Sequence, residues 1–455
     1  MNQPTSLKRS LTLFHVVVFG LSYMVPFTVF TTYGVATDLS QGMLPAAYVF
    51  ALLAMMFTAY SYGRMSQAFP IAGSAYTYTQ KAINPYLGFL VGWAILMDYL
   101  FMPMLNYLIG GLYLSSYFPS IPTPVLIILL ILITTVISIF GVKVGTSINA
   151  LFIVFQYLFL IVFVFLSVKG ILNGMGTGTL ASIKPFYNPD VPLSSIVSAA
   201  SILCLSFLGF DAVTTISEET IQPRKTIPKA ILIVTLLGGA QFIFIAYIGH
   251  MIFPNYHLFQ QLDSASLELL EFVGGNVMAS IFVAATVPIV VAVNILAKAS
   301  VTRILYAMGR DSVLPKKAFA YIHPKFKTPV FNIILVGILS LSALFVDLVT
   351  ATSFINFGAL VAFTCVNLSV IAWYFVRNKR RSPKDTFFYL ILPLIGAGFT
   401  SWLWTTLERN SLILGSIWVS CGFIYLLYIT KMFTKRPPEL DFSEIEQENE
   451  ISIGG

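Results

Sequence analysis

Charge is scarce in this sequence: 10% of its 455 residues are acidic or basic, against 57% that are hydrophobic. That balance excludes an ordinary soluble domain. Cysteine is scarce too, and Cys204, Cys365 and Cys421 all fall inside apolar stretches, where they behave as small apolar side chains and supply no disulfide framework. No Cys/His spacing fits a metal, no glycine-rich loop fits a nucleotide and no catalytic triad is discernible, so an enzyme, a metal site or a cofactor has no residues to support it. The even array of short alternating strands that a membrane barrel needs is also missing. The first apolar run, from Leu11, is long and has no small-residue cleavage site, and is expected to stay as a membrane helix.

What is present is a series of apolar runs of about 20 residues, the length that crosses a bilayer as a helix. They predict an all-α membrane protein with twelve spans, near 12–35, 43–63, 86–116, 122–141, 145–168, 194–217, 230–253, 275–300, 330–346, 353–376, 386–405 and 411–431. With both termini cytoplasmic, the inner side collects Lys8, Arg9, Arg64, Arg224, Arg303, Arg310 and most other basic residues, and the outer side receives only Lys169, Lys184 and Arg409. This is the positive-inside asymmetry, so the net charge of +7 reports topology and contact with anionic lipids, with no nucleic acid implied.

Segments 1–11 and 436–455 flank the membrane domain, 12–435, and the acidic, apolar-poor tail from Pro437 is expected to be disordered. Between spans, 69–85 predicts a turn with an interfacial helix. The basic stretch 303–327 predicts a helix lying on the inner surface.

Two spans carry helix-breaking residues. The first contains Gly20, Ser22, Tyr23 and Pro26, and the sixth contains Phe207, Gly209, Phe210 and Asp211. Five spans separate them, which predicts two inverted units, about 12–168 and 194–376, with the spans at 386–431 added outside.

Apart from histidines, only Asp98, Asp211 and Lys298 place an ionisable group well inside a span. Such groups are costly in lipid and need a partner. Asp211 follows the expected break at Gly209, where the free carbonyls of one half-helix and the N-terminal dipole of the next suit an ammonium and a carboxylate. The alternative is an internal hydrogen bond that ties helices together. Asp98 either caps a neighbour's backbone or lines the same cavity, with Asn106 on the same half of its helix. Lys298 lies five residues before Arg303, where it either snorkels to the interface or takes part in coupling. Tyr23, Phe207 and Phe210 are candidates to pack against a cation.

Several stretches carry a resemblance as a set. They are Gly209-Phe210-Asp211, Ser217-Glu218-Glu219-Thr220, Ile227-Pro228-Lys229-Ala230, Ala72-Gly73-Ser74-Ala75-Tyr76, Leu305-Tyr306-Ala307-Met308-Gly309-Arg310-Asp311 and Ile355-Asn356-Phe357-Gly358. Together they resemble the amino acid, polyamine and organocation transporter superfamily over nearly all of 5–435, and within it the bacterial putrescine importers. The resemblance implies a leucine-transporter-like fold of two inverted five-helix repeats, a central site, alternating access, residence in the bacterial cytoplasmic membrane and uptake of putrescine; the driving force is expected to be the proton gradient, the membrane potential or both. It would place Lys298 where sodium-coupled relatives bind an ion. The amino acid carriers of the superfamily commonly cradle a substrate carboxylate on backbone N–H groups of a Gly-Ser-Gly break in span one. Here Ser22-Tyr23-Met24-Val25-Pro26 replaces it, and bulky side chains and a proline remove that cradle. The expected substrate is therefore a diamine held between Asp211 and Asp98, its stem against Tyr23, Phe207 and Phe210. The other readings are a carrier of cationic or neutral amino acids, a diamine exchanger and a non-transporting amine sensor.

Overall fold

The computed structural model describes residues 9–70, 75–141, 146–217, 219–310, 314–326 and 328–437. Among them the regular structure is helical, with one isolated bridge between Leu11 and Thr220. The α-helices are α1 (Leu13–Tyr23), α2 (Thr28–Thr31), α3 (Tyr33–Leu39), α4 (Leu44–Ala68), α5 (Ala75–Ala82), α6 (Pro85–Tyr117), α7 (Thr123–Ile139), α8 (Thr146–Leu172) and α9 (Leu193–Leu203). They continue as α10 (Pro223–Ile252), α11 (Ala265–Arg310), α12 (Lys316–Phe319), α13 (Val330–Ser340), α14 (Leu348–Val370), α15 (Pro383–Thr386), α16 (Leu392–Thr405) and α17 (Arg409–Ile429).

Ten helical stretches among the described residues are long and apolar enough to cross a membrane. The apolar helices Thr123–Ile139 and Val330–Leu344 are shorter and occupy the places expected for the fourth and ninth spans. The interfacial helix expected within 69–85 is α5, while residues 71–74 of that stretch lie outside the described part. The surface helix expected over 303–327 is corrected. Beyond a kink at Gly275, α11 continues to Arg310 because Leu305 and Met308 stay buried with Leu96, Leu100 and Val336, and among the described residues that follow, up to 326, the helix formed is the short α12; residues 311–313 and 327 lie outside the described part. The tail from 438 onward and the first residues, 1–8, are outside the described residues.

Packing sorts the spans into two groups. α1, α4, α9 and α10 pack on one another, and α6, α7, α11 and α13 form a second set. α14 joins them, touching α4, α6 and α9.

The first span is interrupted between α1 and α2. Pro26 lacks an N–H and disfavours helical geometry in the residue before it, and Val25 accordingly sits in the left-handed region at φ 48°. Gly20, expected as a breaker, is inside α1 and buried. Its missing side chain admits the neighbouring helix: a Cβ there would stand 2.7 Å from methyl groups of both Val213 and Val234.

The sixth span follows α9 with a 3-10 turn, Cys204–Phe207, and then opens at Leu208 (ψ 129°) and Gly209 (φ 113°). After the break comes a second 3-10 turn, Asp211–Thr214, where an α half-helix was expected. Asp211 therefore opens a single tight turn.

Candidate functional site

The two interruptions touch. A Cβ at Gly209 would lie 2.9 Å from Cδ1 of Tyr23 and 3.1 Å from its backbone carbonyl, so glycine is needed for this approach as well as for its positive φ. One oxygen of Asp211 accepts from the N–H of Gly209 at 3.3 Å, and the N–H groups of Asp211 and Ala212 also face the carboxylate. The acid thus organises its own turn. Its hydrogen bonds among the described residues stay within that turn.

Asp98, on α6, is close enough to Asp211 for their charges to repel, and Tyr23 is within reach of both. Neither carboxylate has an ion-pair partner among the described residues, and Oδ1 of Asp98 is buried without a hydrogen-bond partner. Two neighbouring acids with no cation between them form a deficit that a positively charged ligand would fill.

Exposure varies around the two acids. Tyr23 is 54% exposed and Tyr99 37%, although Tyr23 neighbours both acids and Tyr99 neighbours the fully enclosed Tyr62. Asp98 and Asp211 are themselves half-buried. On the opposite side of the break Phe27 and Phe30 are buried among Phe159, Phe163, Phe282 and Tyr113, with ring centroids 5.1–5.6 Å apart along the chain of contacts Phe27–Phe282–Phe159, Phe30–Phe163 and Tyr113–Phe282. Aromatic packing fills that side.

Other expected residues stand differently. Phe207 and Phe210 have no exposed surface. Phe207 packs on Phe242, and Phe210 packs on Tyr62 and Phe363, so both back the site from behind in this conformation. Ser22 donates its hydroxyl to the carbonyl of Val18 at 2.6 Å. Asn106 lies on α6 about 12 Å along the helix from Asp98, and its Nδ2 is buried without a partner.

Lys298 is 0% exposed and does not snorkel. Its ammonium donates to the hydroxyls of Thr134 (3.2 Å) and Thr135 (2.5 Å) on α7 and sits 5.2 Å from the ring centre of Tyr107 on α6. Among the described residues no carboxylate stands beside it.

The backbone polar groups of the breaks are largely occupied, which corrects the expectation of free carbonyl ends. Asn356 of α14 donates Nδ2 to the carbonyls of Ser201 (2.8 Å) and Ile202 (3.0 Å) at the end of α9. In span one, Thr28 covers the carbonyls of Met24 and Val25. The N–H groups there are also bonded: Met24 to Gly20, Val25 to Ser22, Thr28 to Val25, and Phe27 to Oε1 of Gln156 on α8 at 3.1 Å. Pro26 has none to give. The N–H groups of Met24, Val25, Phe27 and Thr28 are thus all engaged within the protein.

Reasoning confined to ionisable residues and breaks missed Gln156, Asn356 and Tyr62. A signal for the first was present: Gln156 is a lone carboxamide in the apolar run 151–166. Asn356 stood in a recognised motif without a role.

Long apolar helices, two of them interrupted side by side next to unpaired carboxylates, have the build of a secondary transporter. The chain belongs to the amino acid permease family, whose pattern it matches over residues 15–431. It is 44% identical, over 96% of each chain, to the low-affinity putrescine importer PlaP of Escherichia coli (strain K12). It is also 29% identical to the methylthioribose transporter and 26% identical to the branched-chain amino acid permease BcaP of Bacillus subtilis (strain 168), each over 94% of both chains.

Proposed function

We propose that this protein imports putrescine across the bacterial cytoplasmic membrane by alternating access. The observation that carries the reading is the pair Asp98 and Asp211, half-buried, near enough for their charges to interact and without a cation partner among the described residues. One ammonium of the diamine binds Asp211 and the other binds Asp98, with the alkyl stem across the exposed face of Tyr23. Charge-assisted hydrogen bonds to two acids suit a dication. A substrate carboxylate finds no donor, because the N–H groups at the first break are already bonded. The similarity to a putrescine importer at 44% identity supports the same substrate.

The repeat is supported by what recurs at an interval of five spans. Breaks fall in spans one and six, long helices fill span three (33 residues) and span eight beyond the kink at Gly275, and the two short apolar helices are four and nine. The reading is twelve spans, two inverted five-span units plus the last two, with both termini cytoplasmic by the distribution of basic residues. In that orientation Tyr23 faces the cytoplasmic half and the phenylalanine cluster seals the outer half, so the conformation is open to the inside.

A dication entering a negative cell gains about 4.6 kcal/mol per 100 mV, or about three decades of accumulation. Potential alone is sufficient for uptake. Lys298, buried without an anion beside Tyr107, is the candidate for proton coupling. The test is labelled putrescine uptake into proteoliposomes with imposed potential and pH gradient varied separately. Absence of saturable flux under both would overturn the transport reading and leave amine sensing. Uptake only against internal diamine would make the protein an exchanger.

A further inference from the structure

Lys298 shares its face of α11 with Asn294, one turn before it. Asn294 is 0% exposed, and neither end of its carboxamide has a hydrogen-bond partner. Asn106 on α6 is level with it. The two helices pack antiparallel, with Tyr117 bonded to Ser280 at 2.7 Å and a Cβ at Gly110 lying 3.2 Å from Val290, and that register sets Asn106, one turn before Gly110, opposite Asn294. The Nδ2 of Asn106 is likewise buried without a partner.

α7 closes the same junction. Leu130 would stand 3.1 Å from that Gly110 Cβ, and one turn further on Thr134 bonds both Tyr107 and Lys298. Three helices thus bring one ammonium and two uncommitted carboxamides to one place. Asn106 is about 12 Å along α6 from Asp98, so this junction is separate from the acid pair.

Buried polar groups are almost always paired, and the charge here decides what pairs them. A second cation is repelled by the ammonium. Water satisfies the amides but leaves an uncompensated ion in the interior, which is costly. A monovalent anion answers both, since it faces the ammonium and accepts from the amide N–H groups. We infer that the junction of α6, α7 and α11 is a binding site for a small monovalent anion of the chloride type, held by Lys298, Asn294 and Asn106. No step of the diamine reading uses this anion, so the two stand or fall separately.

The experiment follows the thermal unfolding midpoint of the full chain in detergent while chloride replaces gluconate at constant pH and ionic strength. The parent midpoint is expected to rise by roughly 2 °C or more once chloride is about 100-fold above its dissociation constant, and bromide is expected to act alike. Lys298→Met and Asn294→Asp are expected not to respond to chloride. The first has no charge to pair, and the second carries its own carboxylate one turn from the ammonium. In gluconate, Asn294→Asp is expected to unfold no lower than the parent, because its acid takes the place of the anion. A lower midpoint overturns the inference, since at a merely structural amide the added buried charge only destabilises. If neither variant folds, Asn106→Leu, of similar volume, is expected to raise the apparent chloride dissociation constant about 10-fold or more, and an unchanged constant overturns the inference. A parent midpoint indifferent to chloride also overturns it and leaves the amides to water. A chloride response that survives in Lys298→Met or Asn294→Asp does the same, because the anion then binds elsewhere.

Discussion

Gly209 and Tyr23 bring the two broken spans into contact, with room for no more than a hydrogen on the Gly209 α-carbon: a methyl group there would come within 2.9 Å of the tyrosine ring. This contact holds Asp211 against the first break and leaves a tyrosine face exposed beside it. Gly209→Ala is expected to cost at least about 1–2 kcal/mol from left-handed strain, plus the displacement of Tyr23. A lower midpoint of thermal unfolding in detergent and a loss of putrescine uptake check it, and an unaffected protein would contradict the geometry.

Removing either charge of the acid pair keeps the shape and lowers the attraction for a dication. Asp98→Asn and Asp211→Asn are each expected to raise the putrescine KM about 10- to 100-fold, equal to about 1.5–3 kcal/mol per charged hydrogen bond. Asp211→Asn retains an acceptor for the N–H of Gly209, so its unfolding midpoint should stay near that of the parent, whereas Asp211→Leu should lower it. Transport kinetics with both asparagine variants unchanged would refute the two-carboxylate site.

Lys298 is a buried ammonium with neutral partners only. Replacing an unpaired buried charge with an apolar chain of similar length is often neutral or stabilising, so Lys298→Met should fold with an equal or higher unfolding midpoint. Accumulation driven by a pH gradient at zero potential should be lost, while exchange of labelled for unlabelled putrescine persists. Full pH-driven accumulation in this variant would remove Lys298 from coupling.

Gly20 acts through packing. Gly20→Ala should cost about 1–3 kcal/mol by overpacking, because the new methyl meets Val213 and Val234. Adding Val234→Ala makes space and should recover most of that loss, a coupling read by a double-mutant cycle on thermal unfolding. A hinge role for Gly20 would leave the pair of changes additive.

Much of this protein was legible as sequence because lipid imposes simple rules. A bilayer demands uninterrupted apolar lengths and paired backbone groups, so the spans, the proline break at Pro26 and the glycine break at Gly209 stand out without a structure. The cost of charge in hydrocarbon singled out Asp98, Asp211 and Lys298 for the same reason. Where the reading slipped, a nearer interaction replaced the expected one. Gly20 is glycine for helix contact, Phe207 and Phe210 found aromatic partners, and the basic helix after Arg303 continued α11 because its apolar residues had a partner to bury against.

The sequence alone determined the family, the succession of apolar helices and the identity of the costly charges, since each depends on composition over a local stretch. Tertiary structure decided which groups meet. That Asp98 comes beside Asp211, that Tyr23 rests on Gly209, and that Gln156 and Asn356 occupy the backbone of the two breaks are contacts between residues far apart in the chain. Pairing of buried polar groups is settled only when the helices pack, because each donor takes whatever acceptor that packing brings within reach.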